Sequence, residues 1–220
     1  MSFELSLDVD TYLDALLDTL QMVAVSGGFA LLAGIPLAVL LIATAPGGFR
    51  PAPRIHRAVG SVVNGFRATP FIVLLVALIP FTRLVAGTTI GVWAAIVPLA
   101  ISATPFFARI AEVSLREVDP GLIEAAQAMG CQRWHIVRHV LLPEALPGIV
   151  GGFTITLVAL ISSSAMAGAV GAGGLGDLAI RYGYQRFDTQ VMVLVIAILI
   201  ALVTLVQFSG DRLVHWLRSR

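Results

Sequence analysis

Residues 119–130 read DPGLIEAAQAMG, a stretch that carries both the start and the stop signals of a short helix. Asp119 is a good N-cap residue, and Pro120 suits the first helical position because its missing N–H would have no partner there. Gly130 stands where a residue in the left-handed conformation ends many helices. The sequence therefore predicts a helix of about three turns between Asp119 and Gly130.

The predicted helix is amphipathic. Leu122, Ala126 and Met129 fall on one face at positions i, i+4 and i+7, while Glu124 and Gln127 keep the surroundings polar. This pattern is typical of a docking element for another protein, and it fits an ordinary connector between two membrane spans equally well.

A second short helix is expected after Gly130, from Trp134 to Val140. It should end near Pro143, because proline lacks an N–H and its ring clashes with the preceding turn. The predicted arrangement of this region is a helix, an elbow and a second helix.

The composition places the chain in a lipid bilayer. Of 220 residues, 58% are hydrophobic and 12% charged, and the mean hydropathy is +0.93. One soluble core cannot bury that much apolar surface. Spans of about 20 apolar residues are expected near Leu20–Thr44, Ala68–Pro80, Ile90–Phe107, Gly148–Gly171 and Val191–Phe208. We expect the second span to extend back toward Val59, with Arg67 reaching a membrane interface.

The basic residues, all arginine, predict the orientation of these spans. The loops expected on the cytoplasmic side carry Arg50, Arg54, Arg57, Arg109, Arg116, Arg133, Arg138, Arg212, Arg218 and Arg220. The opposite side holds Arg83, Arg181 and Arg186, together with an acidic N-terminal segment that contains Glu4, Asp8, Asp10, Asp14 and Asp18. An outside N-terminus and a cytoplasmic C-terminus follow. The first apolar run lacks a basic leader, so we expect it to be a retained span.

Several patterns that suggest chemistry have simpler explanations. Residues 171–176, GAGGLG, match the dinucleotide fingerprint but follow a membrane span rather than a strand, so a tight turn is expected. His135 and His139 have the spacing of paired metal ligands, but the glutamate of the zinc protease motif is missing. Cys131 is the only cysteine, which excludes a disulfide within the chain. A Walker A motif is missing as well, so any ATP-driven step needs a partner.

The fourth span combines small and polar residues. Gly148 with Gly152, and Ser164 with Gly168, have the four-residue spacing of close contacts between membrane helices. The same span holds a run of hydroxyls at residues 162–164, followed by Met166. These side chains could line a path for a small polar solute, or the hydroxyls could bond to carbonyls of their own helix.

Glu124-Ala125-Ala126, Gly130 and Leu142-Pro143-Glu144 resemble the EAA motif of permease subunits in ABC importers. Among these the chain is most similar to methionine importer permeases, from about Asp18 to Leu213. The stretches that carry this similarity are Thr69-Pro70-Phe71, residues 79–83 (IPFTR), residues 121–125 (GLIEA), residues 141–148 (LLPEALPG) and Ser164 through Gly176.

The resemblance implies an all-α membrane protein with the type I ABC importer permease fold. Residues 1–220 would form a single domain of five transmembrane helices, with a cytoplasmic coupling loop at about residues 109–147. Two copies would pair with two ATPase subunits in the bacterial inner membrane, and a solute-binding protein would deliver substrate from outside. ATP and magnesium would be bound by the ATPase, with no cofactor in this chain and no nucleic-acid partner.

The resemblance also implies roles for single residues. Leu122, Ala126 and Met129 would contact the ATPase, with Glu124 at the rim of the contact, Ala125 in the motif and Gly130 permitting the turn. The substrate path would be lined by Met166, Ser163 and Ser164. Serines at 162 and 163, where a bulkier residue could stand, leave the substrate range open.

Three other functions compete with a methionine permease. The same architecture could carry another small amino acid or an organic cation. An intramembrane enzyme would need a convergent acid, base or nucleophile, which the spans do not offer. A passive channel or scaffold would not need a capped helix on its cytoplasmic side.

Overall fold

The computed structural model describes residues 7–48 and 50–219. Glu4 and Arg220, which contribute to the predicted charge asymmetry, lie outside these residues. Within them every regular element is a helix, with π-helical turns at Val137–Leu141 and Ala179–Tyr184. The α-helices are α1 (Val9–Thr44), α2 (Pro53–Ala68), α3 (Phe71–Ala77), α4 (Ile79–Ala86), α5 (Val92–Arg116), α6 (Pro120–Ala128), α7 (Arg133–Ile136), α8 (Leu142–Gly168), α9 (Gly174–Leu178) and α10 (Thr189–Arg218).

Four helical stretches among the described residues are long and apolar enough to cross a membrane, and a bent fifth brings the number to that predicted. The four are α1, α5, the continuous stretch Arg133–Gly168, and α10. The fifth is the pair α2 and α3, whose axes differ by 105°. The second span does extend back past Val59, as α2, but the sequence did not predict the bend between α2 and α3. The break lies at Thr69 because a residue before proline avoids the helical conformation, and Thr69 is extended with φ −82° and ψ 124°.

The second short helix does not end near Pro143, contrary to the sequence-based expectation. Instead α7 continues through the π-helical turn at Val137–Leu141 into α8, and Pro143 lies in the first turn of α8. The Leu142 N–H donates to the Val137 carbonyl, five residues back. Because a π-helical turn widens the helix, it accommodates a proline that would otherwise clash with the preceding turn.

The core lies where α1, α5 and α8 pack together. α1 runs along α5, and α8 packs against both. Phe107 is fully buried and meets Phe153 edge to face, with ring centroids 5.5 Å apart. As predicted, Gly148 and Gly152 mark a close contact: a Cβ atom at Gly148 would lie 2.7 Å from Ser114 Oγ, and one at Gly152 would collide with Ile110. Small residues thus let α8 approach α5.

α9 is held against the ends of α1 and α8. The buried Thr19 hydroxyl on α1 accepts from the Leu175 N–H at 2.9 Å and donates to the Ala15 carbonyl at 3.0 Å. On the α8 side, a Cβ atom at Gly168 would lie 2.6 Å from the Gly176 carbonyl carbon. The glycine-rich segment is therefore a tight turn that folds back onto the bundle, as the sequence indicated.

The outer surface of the bundle is strongly apolar. α10 buries Val191 and Val195 and exposes most of its other side chains, including Ile200 and Phe208. α1 exposes Phe29 and Leu32 in the same way. Continuous apolar surface of this extent is covered by lipid in a membrane protein.

Gly168→Ala should destabilise the bundle, because the added methyl group meets backbone atoms of Gly176 and Asp177 that cannot move aside. Overpacking of this kind costs about 3 kcal/mol, which lowers the melting temperature of a chain of this size by about 6 °C or more. Thermal unfolding of the protein in detergent measures the effect. Gly28→Ala is the control, since a Cβ atom there meets nothing within 4 Å; equal melting temperatures for the two variants would contradict the predicted clash.

Candidate functional sites

α6 is a short helix held between two long ones. Asp119 caps it, with its Oδ1 accepting from the Gly121 N–H at 2.8 Å. Residues 117–119 join it to α5, and residues 129–132 join it to α7. Arg109–Arg116 belong to α5 and Leu142–Pro147 to α8, so the coupling loop predicted at about residues 109–147 includes the ends of both long helices.

The end of α6 has the predicted geometry. Gly130 has φ +78°, a conformation that side chains with a Cβ atom rarely adopt. The Gly130 N–H donates to the Gln127 carbonyl at 2.9 Å, and the Cys131 N–H reaches back to the Ala126 carbonyl at 3.1 Å. These bonds satisfy the last carbonyls of the helix and turn the chain toward α7.

The predicted face of α6 is divided between the interior and the surface. Ala126 is 3% exposed, and because α6 packs against α7 and the π-helical turn, this side is covered by the chain itself. Leu122 is 44% exposed and Met129 75% exposed. Leu122, Ala125 and Met129, at i, i+3 and i+7, form an exposed apolar strip that we call the α6 surface, with Glu124 exposed beside it.

An ion cluster that the sequence analysis did not identify lies at the end of α5. The Glu112 carboxylate is 1% exposed and accepts from Arg109 and Arg116, each at 2.6 Å. The two arginines stand three residues before and four residues after it, so all three share one helix face. That spacing was readable in the sequence, but the burial of Glu112 depends on packing by other helices.

The residues predicted to line a substrate path occupy different environments. Ser163 lines a cavity of about 210 Å³ between the broken second span, α5 and α8. The Ser164 hydroxyl is buried and donates to the Ile161 carbonyl at 2.8 Å, so it stabilises its own helix. Met166 lies one turn further along α8 and is half exposed. The structure therefore brings Ser163 alone of the three to this cavity.

The histidine pair is exposed on the surface near α7. The rings of His135 and His139 stack with centroids 5.7 Å apart, and His139 Nδ1 lies 3.2 Å from the His135 carbonyl oxygen. Among the described residues, no group of three or more His, Cys, Asp or Glu side chains is placed to hold a metal ion.

Comparison with known proteins gives a consistent result. Residues 29–220 match the family described as binding-protein-dependent transport system inner membrane component. The chain is 53% identical over 210 residues to the probable D-methionine transport system permease protein MetI of Vibrio cholerae, which covers 96% of this chain and 93% of that protein. It is 40% identical over 181 residues to the methionine import system permease protein MetP of Bacillus subtilis, 82% of each chain.

Solved structures agree with these relatives. An inward-facing structure of the MetNI methionine ABC transporter contains a chain that is 50% identical and superposes with a TM-score of 0.93, covering 95% of this chain and 97% of that one. An amino acid ABC transporter crystallised with histidines superposes with a TM-score of 0.75 at 21% identity, covering 96% of this chain and 94% of that one, which shows a shared fold.

Replacing both Arg109 and Arg116 by methionine should destabilise the protein, because the Glu112 carboxylate would stay buried without a cation. Leaving a buried charge uncompensated costs about 3–5 kcal/mol. The melting temperature in detergent should fall accordingly, and adding Glu112→Met to the double variant should restore much of it. The exposed Arg133 and Arg138, both replaced by methionine, provide the control; an equal loss in that protein would contradict the role of Glu112.

Proposed function

This chain belongs to the family of binding-protein-dependent transport system inner membrane components, and from this we propose that it is the permease subunit of an ATP-driven methionine importer. The observation that carries the proposal is its close similarity, along nearly the whole chain, to the membrane subunit of the MetNI methionine transporter. The chain transports a solute across the membrane, and a separate ATPase subunit hydrolyses ATP.

The proposed assembly contains two copies of this chain, two ATPase subunits and an outer solute-binding protein, in a bacterial inner membrane. In each copy of this chain the N-terminus lies outside and the C-terminus lies in the cytoplasm, an orientation that the arginine distribution supports. ATP and magnesium bind to the ATPase subunits. Each copy contributes its half of a central path between the two sides of the membrane.

The α6 surface is the proposed contact with the ATPase. Leu122, Ala125 and Met129 are apolar and exposed beyond the membrane-spanning helices, and Glu124 lies at the rim where it can pair with a cation. Ala126 does not face the ATPase directly, because its side chain is covered by the permease itself. It packs α6 against the rest of the chain and so holds the exposed side chains in place. Gly130 gives the chain the turn that presents α6 outward.

Motion of the ATPase would pass from α6 into the spans through short connections. Residues 117–119 tie α6 to α5, and residues 129–132 tie it to the continuous helix that becomes α8. The hydrogen bonds that Arg109 and Arg116 donate to Glu112 stiffen the last turns of α5. When ATP draws the partner subunits together, α5 and α8 tilt and the path alternates between inward-open and outward-open states.

The solute path would run beside the hydroxyl-rich part of α8. Ser163 lines it at mid-helix, Ser164 keeps the helix backbone intact there, and the flexible Met166 contacts the solute further along. Most of the residues that line the cavity beside Ser163 are apolar, which suits the thioether and the methylene groups of methionine.

The proposed function predicts methionine uptake that requires ATP. Proteoliposomes that contain this chain, its ATPase and its binding protein should accumulate radiolabelled L- or D-methionine, and accumulation should stop when ATP is withheld. Leucine and glycine betaine serve as control solutes. Uptake of a control solute without methionine would contradict the substrate, and uptake that persists without ATP would contradict an importer.

Leu122→Asp should uncouple the two subunits, because a carboxylate would have to be buried in the ATPase contact. Losing an apolar anchor costs about 1.4 kcal/mol or more, so ATP hydrolysis stimulated by loaded binding protein should fall about tenfold or more. Leu213→Asp, at 46% exposure against 44% for Leu122, introduces the same charge on α10 as a matched control. Normal stimulation in Leu122→Asp, or an equal loss in both variants, would contradict the proposed contact.

A further inference from the structure

A cavity of about 210 Å³ lies where the broken second span meets α5 and α8. One part of its wall is apolar and the other is polar. The apolar part consists of Phe66, Phe71, Leu99, Ala103, Phe106, Ala159 and Leu160, and the polar part consists of Arg67, Thr69, Ser102, Thr156 and Ser163.

The polar groups of the wall divide into satisfied and free groups. The Thr69 hydroxyl donates to the Gly65 carbonyl at 3.0 Å, and the Thr156 hydroxyl donates to the Gly152 carbonyl at 2.8 Å. Within the described part of the chain, Arg67, Ser102 and Ser163 make no hydrogen bond or ion pair. A guanidinium and two hydroxyls therefore border the cavity without a protein partner.

Ser102 and Ser163 are partly buried within the bundle, whereas Arg67, on the wall of the same cavity, is exposed. Ser102 stands ten residues after Val92, the first residue of α5, or about 15 Å along the helix axis. That distance is about half of the 30 Å hydrocarbon layer. Arg67, which the sequence analysis expected at a membrane interface, thus borders a cavity beside the middle of a span. An arginine at this depth faces water or an anion, because lipid offers it no partner.

The exposed face of α2 that carries Arg67 is polar. Ser61 and Asn64 precede Arg67 at three-residue spacing, and both are exposed. Arg57, one turn before Ser61, continues this side toward the end of α2. A helix with such a polar face does not turn it to lipid, so this face contacts water or protein.

We propose that this cavity is the amino-acid binding site of the permease, a step that rests on the proposed function. Arg67 binds the substrate carboxylate through paired N–H donors, and the Ser102 and Ser163 hydroxyls accept from its ammonium group. The phenyl rings of Phe66, Phe71 and Phe106 contact the thioether side chain, since sulfur packs favourably on aromatic rings. A cavity of about 150 Å³ accommodates benzene, so the available volume suits a small amino acid.

The site can be tested by thiol protection in the assembled importer. Cys131→Ser removes the single native thiol, which is exposed, and Ser163→Cys then places one in the cavity. Labelling with a small methanethiosulfonate is measured in nucleotide-free and in ATP-bound complexes. L-methionine should slow the labelling, whereas L-methioninol, which lacks the carboxylate, should not. Ser162→Cys, exposed and outside the cavity, should be labelled at the same rate with and without methionine.

Arg67 variants give the second readout. In the Ser163→Cys protein, Arg67→Gln should raise the methionine concentration for half protection about tenfold or more, the factor equivalent to one charge-assisted hydrogen bond. In Arg67→Lys, which keeps the charge but not the paired donors, the methionine concentration for half protection should lie between the values for arginine and glutamine at this position. If the assembly does not tolerate Ser163→Cys, Ser102→Cys places the thiol on the α5 wall of the cavity, and protection of that thiol by methionine is measured instead.

Three results would overturn the inference: a thiol in the cavity that is not labelled in either state, labelling that methionine does not slow up to its solubility limit, or equal protection after Arg67→Gln. The Cys131→Ser importer is assayed in parallel for ATP-dependent methionine uptake. Uptake without protection rejects this site and leaves the proposed function standing, whereas absence of uptake with the unsubstituted chain as well rejects the proposed function itself.

Discussion

A bilayer interior offers no hydrogen-bond partners to the polypeptide backbone, and the rest of this structure depends on that constraint. Long helices satisfy their own backbone groups, so irregular backbone is acceptable only where the protein supplies the missing bonds. At the Thr69–Pro70 break, the N–H groups of Val73 and Leu74 both donate to the Pro70 carbonyl at 3.0 Å. At the turn after α8, the Thr19 hydroxyl accepts a hydrogen bond from the Leu175 N–H. At each irregularity the chain itself thus supplies hydrogen-bond acceptors for these N–H groups.

The same constraint explains which features could be predicted from the sequence. The spans followed from runs of apolar residues, and α6 followed from Asp119, Pro120 and Gly130, because capping depends on neighbours within a few residues. The break in the second span was missed, although Thr69 before Pro70 is a local signal, since apolar residues continue on both sides of it. The π-helical turn before Pro143 was missed because a proline ends a helix or is accommodated according to the surrounding structure.

The residues of the proposed sites were also predictable only where local sequence decides their position. The pattern of Leu122, Ala126 and Met129 located α6 correctly, but spacing does not say which side the chain itself will cover. Ala126 is buried because α7 folds back against α6. The burial of Glu112 and the cavity beside Arg67 both depend on how other helices pack, so no local pattern could predict either. The hydroxyls at 163 and 164 are adjacent in sequence, yet helix rotation directs one to the cavity and the other to its own backbone.

α10 packs along α8 yet exposes most of its side chains, and this bears on how the protein is made. Val191 and Val195 hold one end of the helix, and Gly210 approaches Thr154 of α8 at the other. Its apolar length is sufficient for α10 to enter the bilayer without help from its neighbours, after which association is driven by close packing alone. Insertion and docking of this last helix are therefore separate events during biogenesis. Its lipid side can exchange one aliphatic residue for another with little effect on either event, whereas a larger side chain in place of Gly210 would allow insertion and block docking.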